Sequence, residues 1–399
     1  MLTESSTAFF IISVLFWLSA AVIFYSYVVF PFLIQKMAKG KKIKAVSYSE
    51  EENLPFLTII IAAFNEEEVI EQKIRSVITN HYPHDKMEIL VGSDNSTDAT
   101  NTVLEKLSAE FSGLQFFAFE QRRGKGNVIN ELVNHAKGEI LVFTDANVLL
   151  EKNTLFELVR YFKDTGIGLV DSRMVNTNMH PGGISFQEKA YISREVNIKH
   201  HESVLWRTMM GPFGGCFALR KDLYSPVPRN FMVDDFYISM RVFEQGYACI
   251  NNLGALVYED VSNNLGDEFR RKIRIATGNF QNLKRFSGLL WHPTKGLSFC
   301  LISHKVLRWL GPFFLLTALF SNLYLAVGNQ VYFYLLLAHC CLIILPLCDL
   351  LLKRMSINIG ILRFVTHFYS MNLALLTGFF KSLKNIESNV WKPTQRNQA

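Results

Sequence analysis

The fold of this chain is decided by the stretch ILVFTDAN, residues 140–147. Its first four residues form a continuous apolar run, which is typical of a strand buried on both faces of a parallel sheet. Its last four residues form a polar tip with one acid. Because α/β proteins bind ligands beyond the carboxyl ends of parallel strands, we expect the tip 144–147 to belong to a ligand site.

Three further strand–helix pairs precede this stretch. An apolar run forms each predicted strand, and a helical pattern of apolar positions follows it. This alternation predicts an α/β fold with a Rossmann-like, mostly parallel sheet in residues 55–260. The predicted strands are Leu57–Ala63, Glu88–Val91 and Phe116–Phe119, and the predicted helices are Glu66–Thr79, Asp98–Phe111 and Lys125–Ala136.

The N-terminal part predicts a transmembrane helix within residues 1–36. Residues 8–35 contain no charged side chain and are long enough to cross a hydrocarbon core of about 30 Å. A signal peptide is disfavoured, because the apolar stretch is too long and no Lys or Arg precedes it. Five lysines lie between residues 36 and 44, so the positive-inside rule places the N-terminus outside and the α/β domain, after a linker at 37–54, in the cytosol.

The C-terminal part predicts further membrane contact. Residues 261–305 alternate basic and apolar side chains, which favours amphipathic interfacial helices, with a solvated helix as the alternative. Residues 309–348 contain no Asp, Glu, Lys or Arg and exceed one helix, so two transmembrane helices are predicted in 306–352. Residues 357–383 have basic residues at both ends, so a re-entrant segment or a third transmembrane helix is expected before the tail 384–399.

Composition narrows the class of partner. The net charge of the 399 residues is +6, which fits an anionic substrate or a lipid surface and is too weak to indicate nucleic acid. The six cysteines show no CxxC pairing, so inert thiols in a reduced compartment are expected. We therefore predict an integral protein of the plasma or inner membrane that does not bind nucleic acid.

Four acids and one amide could carry chemistry. Asp145 and Asn147 offer oxygen ligands of the kind that Mg²⁺ and Mn²⁺ prefer. Asp94 follows a predicted strand and could accept from the imide N–H of uracil. Asp234 and Asp235 are adjacent, and crowding raises the pKa of at least one carboxyl, which suits a general base. Taken singly, Asp94 is as typical of a turn and helix cap, the pair Asp234–Asp235 is more typical of a helix N-cap, and triplets such as 145–147 occur by chance.

Cations and glycines fall between these acids. Lys125 lies between two glycines and could contact a pyrophosphate, although a solvated basic turn is as plausible in isolation. Arg271 and Arg274 share a helix face and could neutralise a leaving diphosphate or contact lipid phosphates. The glycines at 214–215 would let an acceptor approach the backbone, and the turn at 63–67 could hold a base or phosphate or simply cap a helix.

Taken together, the order and spacing of these motifs resemble the inverting family-2 glycosyltransferases with a GT-A fold. The resemblance covers about residues 55–290 and is greatest to the membrane-integrated branch with cellulose, chitin, hyaluronan and poly-N-acetylglucosamine synthases. The motifs that carry it are AFNEE at 63–67, SDNSTD at 93–98, GKG at 124–126, TDAN at 144–147, GG at 214–215, VDD at 233–235 and RxxRI at 271–275.

The resemblance implies a role for each candidate. Phe64 and Asp94 would meet the uracil and Lys125 the diphosphate, while Asp235 would be the catalytic base and Asp234 its orienting neighbour. The expected residues are, for the donor, Phe64, Glu66, Asp94, Lys125, Asp145, Arg271 and Arg274; for the metal, Asp145 and Asn147; for the acceptor, Gly214, Gly215 and Trp206; and for catalysis, Asp235 and Asp234.

The implied reaction is metal-dependent transfer of a hexosyl or N-acetylhexosaminyl group, with inversion, from a UDP-sugar to an acceptor hydroxyl at the cytosolic membrane face. The expected acceptor is a saccharide that is extended into a polysaccharide or oligosaccharide. Because a few spans make a narrow bundle, a homo-oligomer or an export partner is expected to move a long product. Mg²⁺ or Mn²⁺ is the expected cofactor.

Two alternatives stay open. The QxxRW signature of processive synthases is RxxRI at 271–275, which favours a single transfer to a lipid-linked acceptor. Ser93 and Asn147 stand where many family members have acids, which leaves open a non-catalytic nucleotide-sugar sensor. The length of the product separates the first alternative from a polymer synthase, and metal-dependent UDP release would exclude the second.

Overall fold

The structure is a computed structural model that describes residues 2–177, 185–260, 265–291, 296–355, 357, 359–384 and 386. The described chain forms two compact units. A sheet unit comprises residues 37–181 and 188–263, and a helical unit comprises residues 1–36, 182–187 and 264–384. Almost all of the predicted tail, together with the ends of several loops, lies outside the described residues.

An eight-stranded sheet forms the core of the sheet unit, with the order β3-β2-β1-β4-β7-β6-β8-β5. The strands are β1 (Leu57–Ala63), β2 (Met87–Ser93), β3 (Leu114–Ala118), β4 (Ile140–Thr144), β5 (Val148–Leu150), β6 (Ile167–Thr177), β7 (Cys216–Arg220) and β8 (Ala248–Asp260).

One half of this sheet is the predicted parallel half. β1 pairs in parallel with β2 and β4, and β2 pairs in parallel with β3. The other half is mixed, because β7 runs antiparallel to both β4 and β6, and β5 runs antiparallel to β8. The carboxyl ends of the four parallel strands therefore lie at one edge, as expected, and the antiparallel β7 starts at that edge.

Helices cover the sheet and build the helical unit. They are α1 (Leu2–Phe24), α2 (Phe30–Ala38), α3 (Ile70–Ile78), α4 (Thr100–Glu110), α5 (Lys125–His135), α6 (Thr154–Val159), α7 (Ser185–Trp206), α8 (Asp234–Glu244), α9 (Leu265–Arg285), α10 (Gly296–Cys300), α11 (Leu307–Trp309), α12 (Gly311–Ala326), α13 (Gln330–Arg354) and α14 (Gly360–Ser382). Helix α3 starts four residues later than predicted, because residues 66–69 form a turn in which the Val69 amide donates to the Glu66 carbonyl at 3.0 Å.

Two helical stretches are long and apolar enough to cross a membrane. One is Thr7–Ala38, in which α1 and α2 are joined by a π-helical turn, and the other is α13. The pair α10–α11 and α12, bent by 58°, would make a third if it forms one span. Helix α14 is not among the candidates found in the described residues, and whether it is re-entrant or spanning stays a prediction.

Contacts within the helical unit hold α14 in place. Arg363 Nε lies 2.9 Å from Asp349 Oδ1 of α13, and the Thr366 hydroxyl donates to Asp349 Oδ2 at 2.8 Å. The ring of Phe379 packs edge-on against Phe280 of α9, with centroids 5.2 Å apart. The basic amphipathic helix α9 is therefore packed against the segment whose membrane placement the sequence left open.

Candidate active site

The polar tip that ends β4 lies beside the glycine pair that precedes β7. The Asp145 amide donates to the Gly215 carbonyl at 3.1 Å, and the Thr144 hydroxyl donates to the same oxygen at 2.9 Å. These bonds follow from the antiparallel pairing of Thr144 with Cys216. The predicted donor tip and the predicted acceptor glycines are thus neighbours in space although about 70 residues separate them in sequence.

Lys125 joins the donor tip to the acid pair. Its ammonium donates to Asp145 Oδ1 at 2.7 Å and lies 3.8 Å from Asp234 Oδ2. Gly124 directly before it has φ of 83°, a left-handed conformation that lets the chain turn into α5. Burial opposes the charge on Lys125, but Asp145 and Asp234 outweigh burial and raise the pKa of the ammonium above its ordinary value.

Asp235 has the electrostatics of a general base. Burial, and then the neighbouring Asp234 carboxylate, raise the pKa of Asp235 to about 7. One oxygen accepts from the Phe236 amide at 2.6 Å. The other faces Gly214 so closely that a Cβ added there would lie 2.7 Å from it. A carboxyl with a pKa near neutrality can take up a proton at physiological pH.

Asp94 holds the loop that carries Lys125. It is fully buried, and its carboxylate accepts from the amides of Arg123 at 2.6 Å and Gly124 at 3.0 Å. Arg122 Nε donates to it at 3.2 Å, while the guanidinium carbon of Arg122 lies 3.3 Å from the ring centroid of Phe64. The two residues expected to meet a nucleobase are therefore both in contact with Arg122.

The first two motifs are tied together by their turns. The Asn65 side-chain oxygen accepts from the Thr97 amide at 2.8 Å, and the Glu66 amide donates to the Thr100 hydroxyl at 2.9 Å. Asp98 Oδ2 accepts from the Glu67 amide at 3.1 Å. These bonds hold Glu66 at the same sheet edge as Asp94, and the atom of Glu66 that is bonded is its backbone amide.

The tip has few oxygens for a metal ion. Asp145 is one third exposed and its Oδ1 is taken by Lys125. The Asn147 amide nitrogen lies 3.5 Å from Glu259 Oε1 on β8. Within the described residues no group of three or more His, Cys, Asp or Glu forms a metal centre. The oxygens of Asp145 and Asn147 fit a Mg²⁺ or Mn²⁺ ion that is bound by one or two protein oxygens and takes its other ligands from phosphates and water.

Two charged residues at the tip, Lys73 and Glu259, were not predicted from the sequence. Lys73 on α3 is fully buried and donates to Thr144 Oγ1 at 2.7 Å and to the Val148 carbonyl. Burial lowers the pKa of Lys73 to about 8. A signal was present, since Lys73 falls on the apolar stripe of α3. No sequence pattern indicates Glu259 as a site residue, because only the pairing of β5 with β8 brings it close to the tip.

A buried ion pair supports the acceptor glycines. Lys199 on α7 lies 2.6 Å from Asp171 on β6, and both are almost inaccessible to solvent. Asp171 Oδ1 accepts from the Phe213 amide at 3.1 Å, and the Lys199 ammonium lies 3.5 Å from the Phe213 ring centroid. Trp206 ends α7 and is partly buried, and its predicted acceptor contact stays a prediction.

Arg271 and Arg274 lie on α9, in the helical unit. Arg271 Nε is 3.5 Å from the buried Glu268, which also pairs with Lys272 at 3.2 Å. The predicted contact of these arginines with a diphosphate is not tested by the geometry within that unit.

Residues 58–227 match Glycosyl transferase family 2. This segment is therefore similar to a family-2 glycosyltransferase domain. The match spans β1 to β7 and includes the donor tip, Asp94 and the acceptor glycines, so the predicted resemblance is confirmed for residues 58–227.

Two relatives match part of the chain. The beta-monoglucosyldiacylglycerol synthase of Nostoc sp. is 30% identical over 180 residues, which cover 43% of this chain and 37% of that protein. The poly-beta-1,6-N-acetyl-D-glucosamine synthase of Staphylococcus aureus is 25% identical over 241 residues, which cover 59% of this chain and 57% of that protein. The matched segment therefore spans only about a third to somewhat over half of these relatives.

The fold is shared with a solved glycosyltransferase. The mannosyltransferase PcManGT from Pyrobaculum calidifontis, solved in complex with GDP-Man and Mn²⁺, superposes with a TM-score of 0.67 at 21% identity. The superposition covers 92% of this chain and 99% of that one. This likeness confirms the GT-A fold.

Proposed function

We propose that this protein transfers a sugar, with inversion, from a UDP-sugar to an acceptor hydroxyl at the cytosolic face of a membrane. The observation that carries the proposal is Asp235, a partly buried carboxyl with a pKa raised to about 7 beside Gly214 and the Lys125–Asp145 pair. It is the acid in the site whose environment suits a general base at neutral pH.

Asp235 takes the proton of the acceptor hydroxyl as that oxygen attacks the anomeric carbon. The new glycosidic bond forms while the bond from the anomeric carbon to the diphosphate oxygen breaks, and the bonding electrons leave with the UDP. Lys125, whose ammonium pairs with Asp145, and Arg274 are the cations proposed to neutralise the developing charge. A single displacement needs one base and no covalent carboxylate.

Asp145 and Asn147 are the proposed ligands of Mg²⁺ or Mn²⁺, which would supply Lewis-acid stabilisation of the diphosphate. Asp234 is proposed to orient the base, and Phe64, Glu66 and Asp94 to bind the nucleoside. Since Asp94 already accepts three bonds from residues 122–124, its contribution would come partly through the loop that it holds.

The acceptor separates two candidate products. A polymer or oligosaccharide is our first proposal, with a homo-oligomer or partner for export, and the similarity to a poly-N-acetylglucosamine synthase supports it. A single transfer to a lipid-linked acceptor is the second, supported by RxxRI at 271–275 and by the similarity to a glycolipid synthase. In both, the N-terminus lies outside and the sheet unit lies in the cytosol.

The test is turnover of the full chain in detergent or bilayers with a panel of UDP-sugars, with GDP-Man included because PcManGT was solved with it. We expect release of UDP that depends on Mg²⁺ or Mn²⁺, followed by sizing of the product. Release of GDP alone would contradict the choice of nucleotide, and binding without release of either would favour the sensor alternative.

A further inference from the structure

Lys73 is a fully buried lysine whose charge is not met by a carboxylate. In the described part of the chain, no Asp or Glu lies within ion-pair distance of its ammonium, whereas the other fully buried lysine, Lys199, lies 2.6 Å from Asp171. Burying an ammonium without an ion pair is costly, and it persists only where its hydrogen bonds and its surroundings offset that cost.

The two hydrogen bonds of Lys73 bracket the donor tip. Its ammonium donates to Thr144 Oγ1 at 2.7 Å and to the Val148 carbonyl, which belong to the first residue of the tip 144–147 and to the residue directly after it. Thr144 passes the connection on by donating to the Gly215 carbonyl at 2.9 Å. One lysine thus fixes both ends of the tip and links it to the acceptor glycines.

Hydrogen bonding alone does not require a charge at this position. Both acceptors are neutral oxygens, so a neutral donor could satisfy them without the cost of burying a cation. The positive charge beneath the tip therefore has no carboxylate in ion-pair contact, and water screens it little there. It attracts the Asp145 carboxylate, and it would attract any anion that binds above the tip.

We propose that Lys73 is a positioning residue for the donor, which holds the turn from Thr144 to Val148 and adds a buried positive charge that favours the donor diphosphate. This inference rests on the proposed function, because it assumes that a nucleoside diphosphate binds at the tip.

The test compares the binding of UDP and of uridine to the full chain at saturating Mn²⁺. Lys73→Gln keeps a hydrogen-bond donor and removes the charge, and Lys73→Met removes both. We expect Lys73→Gln to lower the affinity for UDP by about 10-fold and the affinity for uridine by less than about 2-fold. The reason is that an interaction with a charged group contributes more than a neutral hydrogen bond. Lys73→Met should weaken both ligands, because the turn is also released.

The matched control is Lys106→Met, which removes a lysine from the exposed face of α4 and should leave both affinities unchanged. Unchanged UDP affinity in Lys73→Gln, or an equal loss for UDP and uridine, would overturn the role of the charge. Lys73→Gln also keeps the test valid where Lys73→Met does not fold. Failure of the wild-type protein to bind UDP would instead contradict the proposed function.

Discussion

The donor tip at 144–147 and the acceptor loop, which comprises Phe213 and the acceptor glycines 214–215, are each supported by a buried lysine. The two lysines differ in their partners. Under the donor tip, Lys73 donates to neutral oxygens. Behind the acceptor loop, Lys199 pairs with Asp171, which also receives the Asn251 amide at 3.0 Å. The charge is compensated where a loop is only held in place, and uncompensated where we propose that an anion binds.

The comparison bears on how the two halves of the site act. The acceptor loop needs a fixed backbone, because Gly214 packs directly against Asp235. The donor tip needs both a fixed backbone and a favourable field for a diphosphate. A buried ion pair can fix a backbone, but it produces little electrostatic field at a distance because its two charges largely cancel.

The largest expected effect is on the base that lies between the two halves. Asp235→Asn removes the proton acceptor but keeps the shape, so turnover should fall by about 10²- to 10⁴-fold. UDP affinity should stay within about twofold, since the donor contacts lie elsewhere. Nucleotide release measures the first quantity and calorimetry the second. Asp222→Asn, on an exposed turn, is the control, and full activity of Asp235→Asn would remove Asp235 from the mechanism.

The next prediction compares how much the loss of each lysine lowers the stability of the fold. Lys199→Met leaves Asp171 buried without its cation and should lower the free energy of unfolding by about 3–5 kcal/mol. Lys73→Met leaves no buried carboxylate unpaired. It should lower the free energy of unfolding by only about 1–3 kcal/mol, because only the hydrogen bonds of Lys73 are lost. Denaturant unfolding of the sheet unit in the full chain measures both.

The double variant Asp171→Asn, Lys199→Met is the control for the buried pair. It should recover much of the stability lost in Lys199→Met, because no unpaired charge remains. If Lys73→Met proves as destabilising as Lys199→Met, the two lysines do not differ in the way that the geometry indicates.

The smallest effect concerns the contact between the acceptor loop and the base. Gly214→Ala places a Cβ only 2.7 Å from Asp235 Oδ2, and should displace the carboxyl. A misplacement of this size can reduce turnover by about 10- to 100-fold. Gly288→Ala, where an added Cβ meets nothing within 4 Å, should have no effect. Unchanged turnover in Gly214→Ala would show that the carboxyl does not need this position.

Much of the parallel half of the sheet could be predicted from sequence. Strand β1 has the predicted bounds Leu57–Ala63, and helix α5 ends one residue from its predicted end. These elements are local, with continuous apolar runs and clear turn residues at their ends. The mixed half was not predicted, because the pairing of β5 with β8 joins residues more than 100 positions apart.

The candidate site was predictable where its residues fall in motifs at strand ends. Lys125, Asp145 and Asp234 are together, as the order of the motifs indicated. Its supports were not predictable in the same way. Lys73 and Asp171 act from inside the core, where sequence patterns favour apolar residues, and a charge there is explained only by what it touches.

The most direct test of the central claim is the pH dependence of kcat/KM. Asp235 must be deprotonated to accept the hydroxyl proton, so its raised pKa in the free protein predicts that kcat/KM rises with pH and levels off above about pH 7. The same profile for Asp235→Asn should lose this rise. A wild-type profile with its inflection near pH 4, the ordinary range of an aspartate, or with no inflection at all, would contradict the account.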